Sequence, residues 1–366
     1  MIPVLTHSGW RLIRTSEITG HYVGQNRGVV MSTSAPRTTA SRLQSRLDHL
    51  ERLRKEQPGQ TFVKAVATFR RIYDKSNQPS HILVRRRFVR RSVAIEIESD
   101  HDRRPRLKPP AQTLIRSRGV AYRLYLVLLA AAQCQPGGRF SSRLNYPIRS
   151  DGDEDIALIN LIAPGSNPRP GTAYRKGYRQ MRAEQVHNAL DLLADPAHVL
   201  LERLAPPGPP IRLNLEVGPR PDQDPQPWKR PGKEAFIAIP IEFFSMGWVH
   251  VLTNSEIAAW LMFRDYGQIG LQETSDSFRL LAHDRLSWYD QSKEVWDTHA
   301  MLSRMGLMTS HSSPYLPADE DGPARREGTL FQVTDEGLRQ NALRQALNAV
   351  AVTKDGVVGL EDLARR

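Results

Sequence analysis

One cysteine, Cys134, serves the whole chain of 366 residues. An intramolecular disulfide is therefore impossible, and so is a zinc cluster built on several thiolates. Cys134 follows an apolar helical run and is expected as a small buried side chain. Long hydrophobic runs are missing too, for none approaches the ~18 residues that cross a bilayer. The opening MIPVLTHSGWRLIRTSEITG lacks the apolar core of a signal peptide. A cytoplasmic location is expected from these absences. Catalytic signatures are also lacking: there is no G-x-x-x-x-G-K-[ST] phosphate loop, no G-x-S-x-G elbow and no H-E-x-x-H. The 11 histidines are scattered, without a close pair at metal-ligand spacing. No metal, no cofactor and no enzymatic activity are expected, although tyrosine-dependent nicking needs only one placed tyrosine and stays open.

Acid is scarce where base is plentiful. The net charge is +12, yet residues 1–120 hold 24 Lys and Arg against 9 Asp and Glu. The remaining residues hold 27 basic and 30 acidic side chains, so the whole excess sits in the first third. Such an asymmetry favours a polyanionic partner. Within it, Ser80–Asp100 reads SHILVRRRFVRRSVAIEIESD, whose β-branched content and alternation predict a strand or hairpin arm. In an extended chain Arg85, Arg86, Arg87, Arg90 and Arg91 fall on both faces, so they cannot all be buried. Guanidinium groups bind phosphates in bidentate fashion and enter the minor groove, and this arm is expected to touch nucleic acid. A merely solvated face is the plainer alternative.

Residues 1–38 show no sustained period and are expected to be a disordered or mis-started leader. Residues 39–109 form a basic helix and strand arm. In ASRLQSRLDHLERLRKEQ, Leu43, Leu47, Leu50 and Leu53 recur at spacings of 4, 3 and 3. This stripe suits either a short coiled coil in a homodimer or, at under three heptads, packing on its own domain.

Residues 110–217 suggest a first unit. An apolar helix runs from about Gly119 to Gln133 and ends at QPGG. The acidic run Asp151, Asp153, Glu154, Asp155 fails as a calcium loop, because the twelfth position is Ile162 rather than Glu. Two helical pieces follow, the second burying Val186, Leu190 and Leu193 and leaving Arg182, Gln185, His187 and Asn188 on other faces. HVLLERL and IRLNLEV are strand-like. Residues 218–234 are rich in proline and predict a semi-rigid linker.

Residues 235–348 suggest a second unit, with residues 349–366 as a C-terminal tail. Thr253 and Glu256 have capping-box spacing at a helix start, Ile257, Trp260 and Leu261 form its buried stripe, and Gly267 suits its end. Leu280 and Leu281 are assigned to a second helix. After turn residues Asp290 and Gln291, Ser292 is a candidate N-cap. Val295, His299 and Leu302 then repeat on one face of a third helix that Gly306 ends. Its exposed set would include Gln291, Lys293, Asp297, Thr298 and Arg304, but Glu294 and Asp297 sit poorly against a duplex. LMTS and TLFQV are the expected wing strands, joined by a loop with Asp319, Glu320 and Asp321 ahead of Arg325 and Arg326.

This order resembles the winged helix-turn-helix superfamily, most specifically over residues 235–347, and two such units resemble tandem winged-helix plasmid replication initiators in topology. The resemblance implies a mainly α fold with small β-hairpins (α+β), two winged-helix units in tandem and a basic N-terminal extension. It implies binding of double-stranded DNA by the third helix and wing. The implied contacts are Arg179, Arg182, Gln185 and Asn188 in the first unit, and Gln291, Ser292, Lys293, Thr298, Arg325 and Arg326 in the second. A transcriptional regulator or a replication initiator of a plasmid or mobile element is the expected function. The alternative is an adaptor whose units bind protein while the basic arm docks on RNA or an acidic partner.

Overall fold

A computed structural model describes residues 2–6, 9–13, 39–55, 61–95, 108–117, 119–150, 156–164, 177–205, 208–219, 223–232, 235–270, 277–312 and 329–364. The chain divides into two units, residues 1–38 and 39–366. The first holds an antiparallel hairpin, β1 (Ile2–Thr6) on β2 (Gly9–Ile13). Paired strands thus stand where the front of a disordered or mis-started leader was expected, and residues 14–38 of that expectation lie outside the described residues. Each arm is five residues long, too short to display a sustained period.

The second unit opens with helices α1 (Thr39–Lys55) and α2 (Thr61–Asp74). Two matching series of elements follow. The first is β3 (His81–Arg85), α3 (Arg86–Val89), α4 (Pro110–Ile115), α5 (Ala121–Gln133), β4 (Arg143–Leu144), α6 (Leu158–Leu161), α7 (Tyr178–Ala194), β5 (Leu201–Ala205) and β6 (Gly208–Leu213). The second is β7 (Phe236–Pro240), α8 (Glu242–Ser245), α9 (Trp248–Val251), α10 (Asn254–Gly270), β8 (Phe278–Arg279), α11 (Ala282–Tyr289), α12 (Lys293–Trp296), α13 (His299–Arg304), β9 (Met308–Ser312) and β10 (Thr329–Val333). Helix α14 (Ala342–Ala364) closes the unit. The fold is mainly helical with small antiparallel sheets, and the three-stranded sheet of each series has its first, third and second strands in that order, β4-β6-β5 and β8-β10-β9.

The two series are tied by the antiparallel pairing of β3 with β7, which sets Leu83 opposite Ala238 and flanks that pair with Ile82 on Ile239 and Val84 on Ile237. Both outer edges are met by a glutamine side chain. Gln133, at the end of α5, donates from Nε2 to the Leu83 carbonyl and accepts the Leu83 N–H, both at 2.9 Å. Gln268, near the end of α10, makes the same two bonds to Ala238 at 3.4 Å.

Helix α5 is buried from Ala121 to Ala132 without interruption. Such an all-round apolar sequence has no solvated face and belongs at the centre of the core. In α10 the stretch Ile257–Phe263 is equally buried, with Trp260 stacked on Phe243 at 4.7 Å between ring centroids. The predicted capping box forms: Glu256 N–H donates to Thr253 Oγ1 at 3.2 Å, and Thr253 N–H donates to Glu256 Oε2 at 2.9 Å. Arg46 of α1 grips the same Glu256 carboxylate through both of its terminal nitrogens. Helix α10 does not stop at Gly267 but runs on to Gly270. The missing side chain serves packing instead, since a Cβ there would lie 2.8 Å from the Phe278 ring. Gly306, at φ +75°, does end α13 as predicted.

Leu50 and Leu53 are buried, and the leucine stripe of α1 packs along α14 and α2 within the chain. The proline-rich stretch after β6 is pinned rather than spaced out. Trp228 is buried, its backbone N–H donates to the Leu213 carbonyl at 2.7 Å, and the Leu215 backbone N–H donates to the Gln226 carbonyl at 2.9 Å. Burying one indole outweighs the extended preference of its proline neighbours. Cys134 is buried as expected, and burial pushes its thiol up to about 12. No described helix is long and apolar enough to cross a membrane.

Two histidines, His250 buried and His49 half-buried, couple this packing to pH. Burial, reinforced by Arg123, Arg52 and Arg46, lowers His49 from 6.5 to about 4. Burial, reinforced by Arg123 and Arg182, lowers His250 to about 3. The unfolded chain therefore takes up protons below pH 6.5 that the folded chain refuses until these lower values are passed. Stability should fall as pH drops from about 6.5 toward 4, with a urea midpoint that declines across this range. The variant His49→Gln/His250→Gln should show a flatter decline, and an identical slope would refute the coupling.

Candidate nucleic-acid interface

The arginine-rich stretch does not form an exposed arm. β3 stops at Arg85, and the next four residues turn into α3, anchored by the buried Phe88 against Tyr125 and Tyr122 at 5.2 and 5.9 Å. This strand-to-helix turn sends neighbouring arginines in different directions. Arg85 is buried, with Nη1 2.7 Å from Glu216 Oε2 and Nη2 donating to the Lys229 carbonyl at 2.6 Å. Burial raises the Glu216 carboxyl, while the Arg85 charge opposes that rise. Arg91 is buried as well, donating to the carbonyls of Leu286 at 2.8 Å and Ser287 at 3.1 Å and to Asp290 Oδ1 at 2.5 Å.

Arg86 lies 2.7 Å from Asp265 Oδ1, and the other oxygen of that carboxylate accepts the Tyr289 hydroxyl at 2.8 Å. Burial raises Asp265, with Tyr289 and Arg86 among the groups that oppose it. The Arg90 guanidinium lies over the Trp288 ring at 3.8 Å. Arg87 alone of the five is exposed. The expected extended arm is thus corrected to a strand-to-helix turn whose arginines largely brace the interior, with Arg87 left at the surface. Its acid partners Glu216, Asp265 and Asp290 are more than a hundred residues away in sequence, where local pattern cannot reveal them. The alternation at Val93–Ile95 forms no strand, and residues 96–100 lie outside the described residues.

Helix α7 buries Val186, Leu190 and Leu193 as predicted. Arg182 is buried too, which removes it from the expected contact set, and it donates to the carbonyls of Ile162 at 2.8 Å and of Ile159. Arg179, in the first turn, is exposed and donates to the Ser150 carbonyl. The outward face carries Gln180, Glu184, Gln185 and Asn188, of which Gln180 and Asn188 are exposed and Gln185 is half-buried. Three amides on one helix face offer paired donors and acceptors, the geometry that matches adenine edges. Gln180 was not anticipated, although it lies two turns before Asn188 at helical spacing. In sequence, Arg169, Arg175 and Lys176 precede this helix, and no acid occurs from Ile156 to Ala183. In the hairpin beyond it, Arg203 pairs with Asp191 and Arg212 with Glu202.

The counterpart in the second series differs. One continuous third helix was expected, but α12 and α13 are separated at Asp297–Thr298. Thr298 Oγ1 donates to the Val295 carbonyl at 2.6 Å, a local bond that competes with the helical ladder. Gln291 is corrected to a core residue, fully buried, with Nε2 donating to the Ala258 carbonyl at 2.9 Å. Ser292 caps α12 by position but makes no side-chain capping bond, while Lys293 is exposed beside the equally exposed Glu294 and Asp297. Thr298 is half-buried, Arg304 donates to Thr353 Oγ1, and His299 packs against Phe331 at 5.4 Å. Leu280 is buried and Leu281 exposed, both ahead of α11 rather than inside it. Arg325 and Arg326 lie outside the described residues.

The described residues thus place amides on one face of α7 and acid on the face of α12. Among them no group of three His, Cys, Asp or Glu is arranged to hold a metal ion. No family model matches the chain, and neither a curated protein nor a solved structure was found to match it.

The brace and the surface separate cleanly in stability. Arg85→Ala leaves Glu216 buried without its cation and should cost about 3–5 kcal/mol in chemical denaturation. Arg87→Ala should lie within about 0.5 kcal/mol of the parent, as surface changes do. Equal losses for the two variants would contradict the burial assigned here.

Proposed function

We propose that this protein is a non-catalytic, cytoplasmic binder of double-stranded DNA built on two winged-helix units, acting as a transcriptional regulator or as a replication initiator of a plasmid or mobile element. The observation that carries this reading is the repeated series itself. In each copy a long helix, a short strand, helices and a hairpin follow in order, and the sheet runs first-third-second. That arrangement suits a third helix presented to a groove, with its N-terminal turns toward base edges.

The two copies divide the work. On the first, Gln180, Gln185 and Asn188 supply amides for adenine and Glu184 an acceptor for cytosine N4. The basic sequence Arg169–Arg179 ahead of that face supplies attraction to phosphate. On the second, Gln291 is sealed in the core and Glu294 and Asp297 face solvent, which favours a protein partner for that copy. This is the part of the adaptor alternative that a specific observation supports.

Selection from a random duplex library, followed by gel shift at fixed salt, tests the assignment. The double variant Gln180→Ala/Asn188→Ala should lose about 10- to 100-fold in affinity for the selected site while binding unrelated duplex as before. Lys293→Ala should change neither by more than about twofold. A chain that enriches no sequence and retains no duplex at low salt is instead an adaptor.

A further inference from the structure

Two open cavities meet beside α3. One, of about 750 Å³, is bordered by Arg85, Arg86 and Arg87, and the other, of about 290 Å³, by Arg87, Arg90, Arg91 and Lys108. Arg87 and Val217 line both, so the cavities form one groove with Arg87 at its junction. Charge is not balanced around that junction. Arg85 faces Glu216 and Arg86 faces Asp265, while Arg91 and Lys108 both lie near Asp290, at 2.5 and 3.6 Å. Arg90 lies on the Trp288 ring and Arg87 is exposed; neither forms an ion pair among the described residues. Among the described residues, the smaller cavity is lined by four cations and no carboxylate, and the larger has Asp224 as its one acidic lining residue.

We propose that this groove binds a phosphate-bearing ligand, with the phosphate at the junction held by Arg87 and flanked by Arg90 and Lys108. A guanidinium presents two parallel N–H donors to phosphate oxygens, and the surplus cations favour a dianion over a monocarboxylate. The larger cavity falls within the size of small-molecule sites, roughly 300–1,000 Å³, and its walls include Leu215, Val217 and Pro225 as apolar surface for the rest of the ligand. A free nucleotide and the backbone of a nucleic acid carry the same phosphate chemistry. The groove lies at the Ala194 end of α7, away from its first turn, so the assignment does not depend on base reading by that helix.

Calorimetric titration of the full chain with ATP, with inorganic phosphate and with a short duplex tests the site. ATP should bind, and Arg87→Ala should weaken it about tenfold or more, the scale of one lost charge-assisted contact. Arg87→Lys should weaken it less, since the charge stays while the paired donors are lost. Gln180→Ala/Asn188→Ala should leave ATP binding unchanged, which separates this groove from the α7 face. If Arg87→Ala weakens the duplex and ATP does not bind, the phosphate belongs to a nucleic-acid backbone; if it weakens ATP alone, the ligand is a free nucleotide. Either result upholds the assignment. Arg87→Ala that binds all three probes as the parent does, or a parent that binds none at millimolar concentration, overturns it.

Discussion

The pairing of β3 with β7 is the constraint on which the rest of this structure depends. A two-stranded ribbon alone is marginal in water, and this one lies inside the protein, with Ile82, Val84, Ile237 and Ile239 all buried. Its outer N–H and C=O groups need partners, because an orphaned buried peptide group costs about as much as a lost hydrogen bond. Gln133 and Gln268 meet that need with side-chain amides that imitate a further strand. Each glutamine sits at the end of the long apolar helix of its own series, so α5 and α10 are fixed in direction by the ribbon they complete. The elements that present α7 and α12 are oriented by those helices in turn.

The charge pattern acquires a different meaning in this setting. An arginine-rich stretch next to a ribbon that must be buried has to bring its cations inward, and each inward cation needs a carboxylate to offset its desolvation. Glu216, Asp265 and Asp290 meet this requirement from three separate parts of the chain. Net positive charge in the first third is thus partly a folding device. Of the five arginines in this stretch, Arg87 and Arg90 are left without a carboxylate among the described residues, and these, with the basic sequence ahead of α7, are what the stretch offers a polyanion.

Periodicity located α5, α7 and the start of α10, because each buries a regular stripe, while short strand-like runs between turn residues marked β5, β6, β9 and β10. The capping box at Thr253 was legible because both partners lie within one turn. The short strands β4 and β8 were not, since two residues cannot show a period and owe their conformation to the neighbouring strand. Helix α2 was left unassigned although it buries Phe62, Ala65, Phe69 and Ile72 at helical spacing. Of the candidate site, Gln185 and Asn188 were read correctly as lying off the buried stripe. Arg182 and Gln291 were not, because a polar residue that satisfies buried carbonyls resembles in sequence one that faces water. The arginine stretch failed for the same reason on a larger scale.

The packing of α1 on α14 carries a consequence for the nascent chain. Helix α1 ends at Lys55 and α14 begins at Ala342. At roughly 5–20 residues per second, a ribosome needs on the order of 15–60 s to deliver the second helix after the first. Throughout that interval the leucine stripe of α1 has α2 beside it but lacks the α14 surface it finally packs on. Synthesis is then the period in which this stripe is open to chaperones, or to the same stripe on a neighbouring polysome chain.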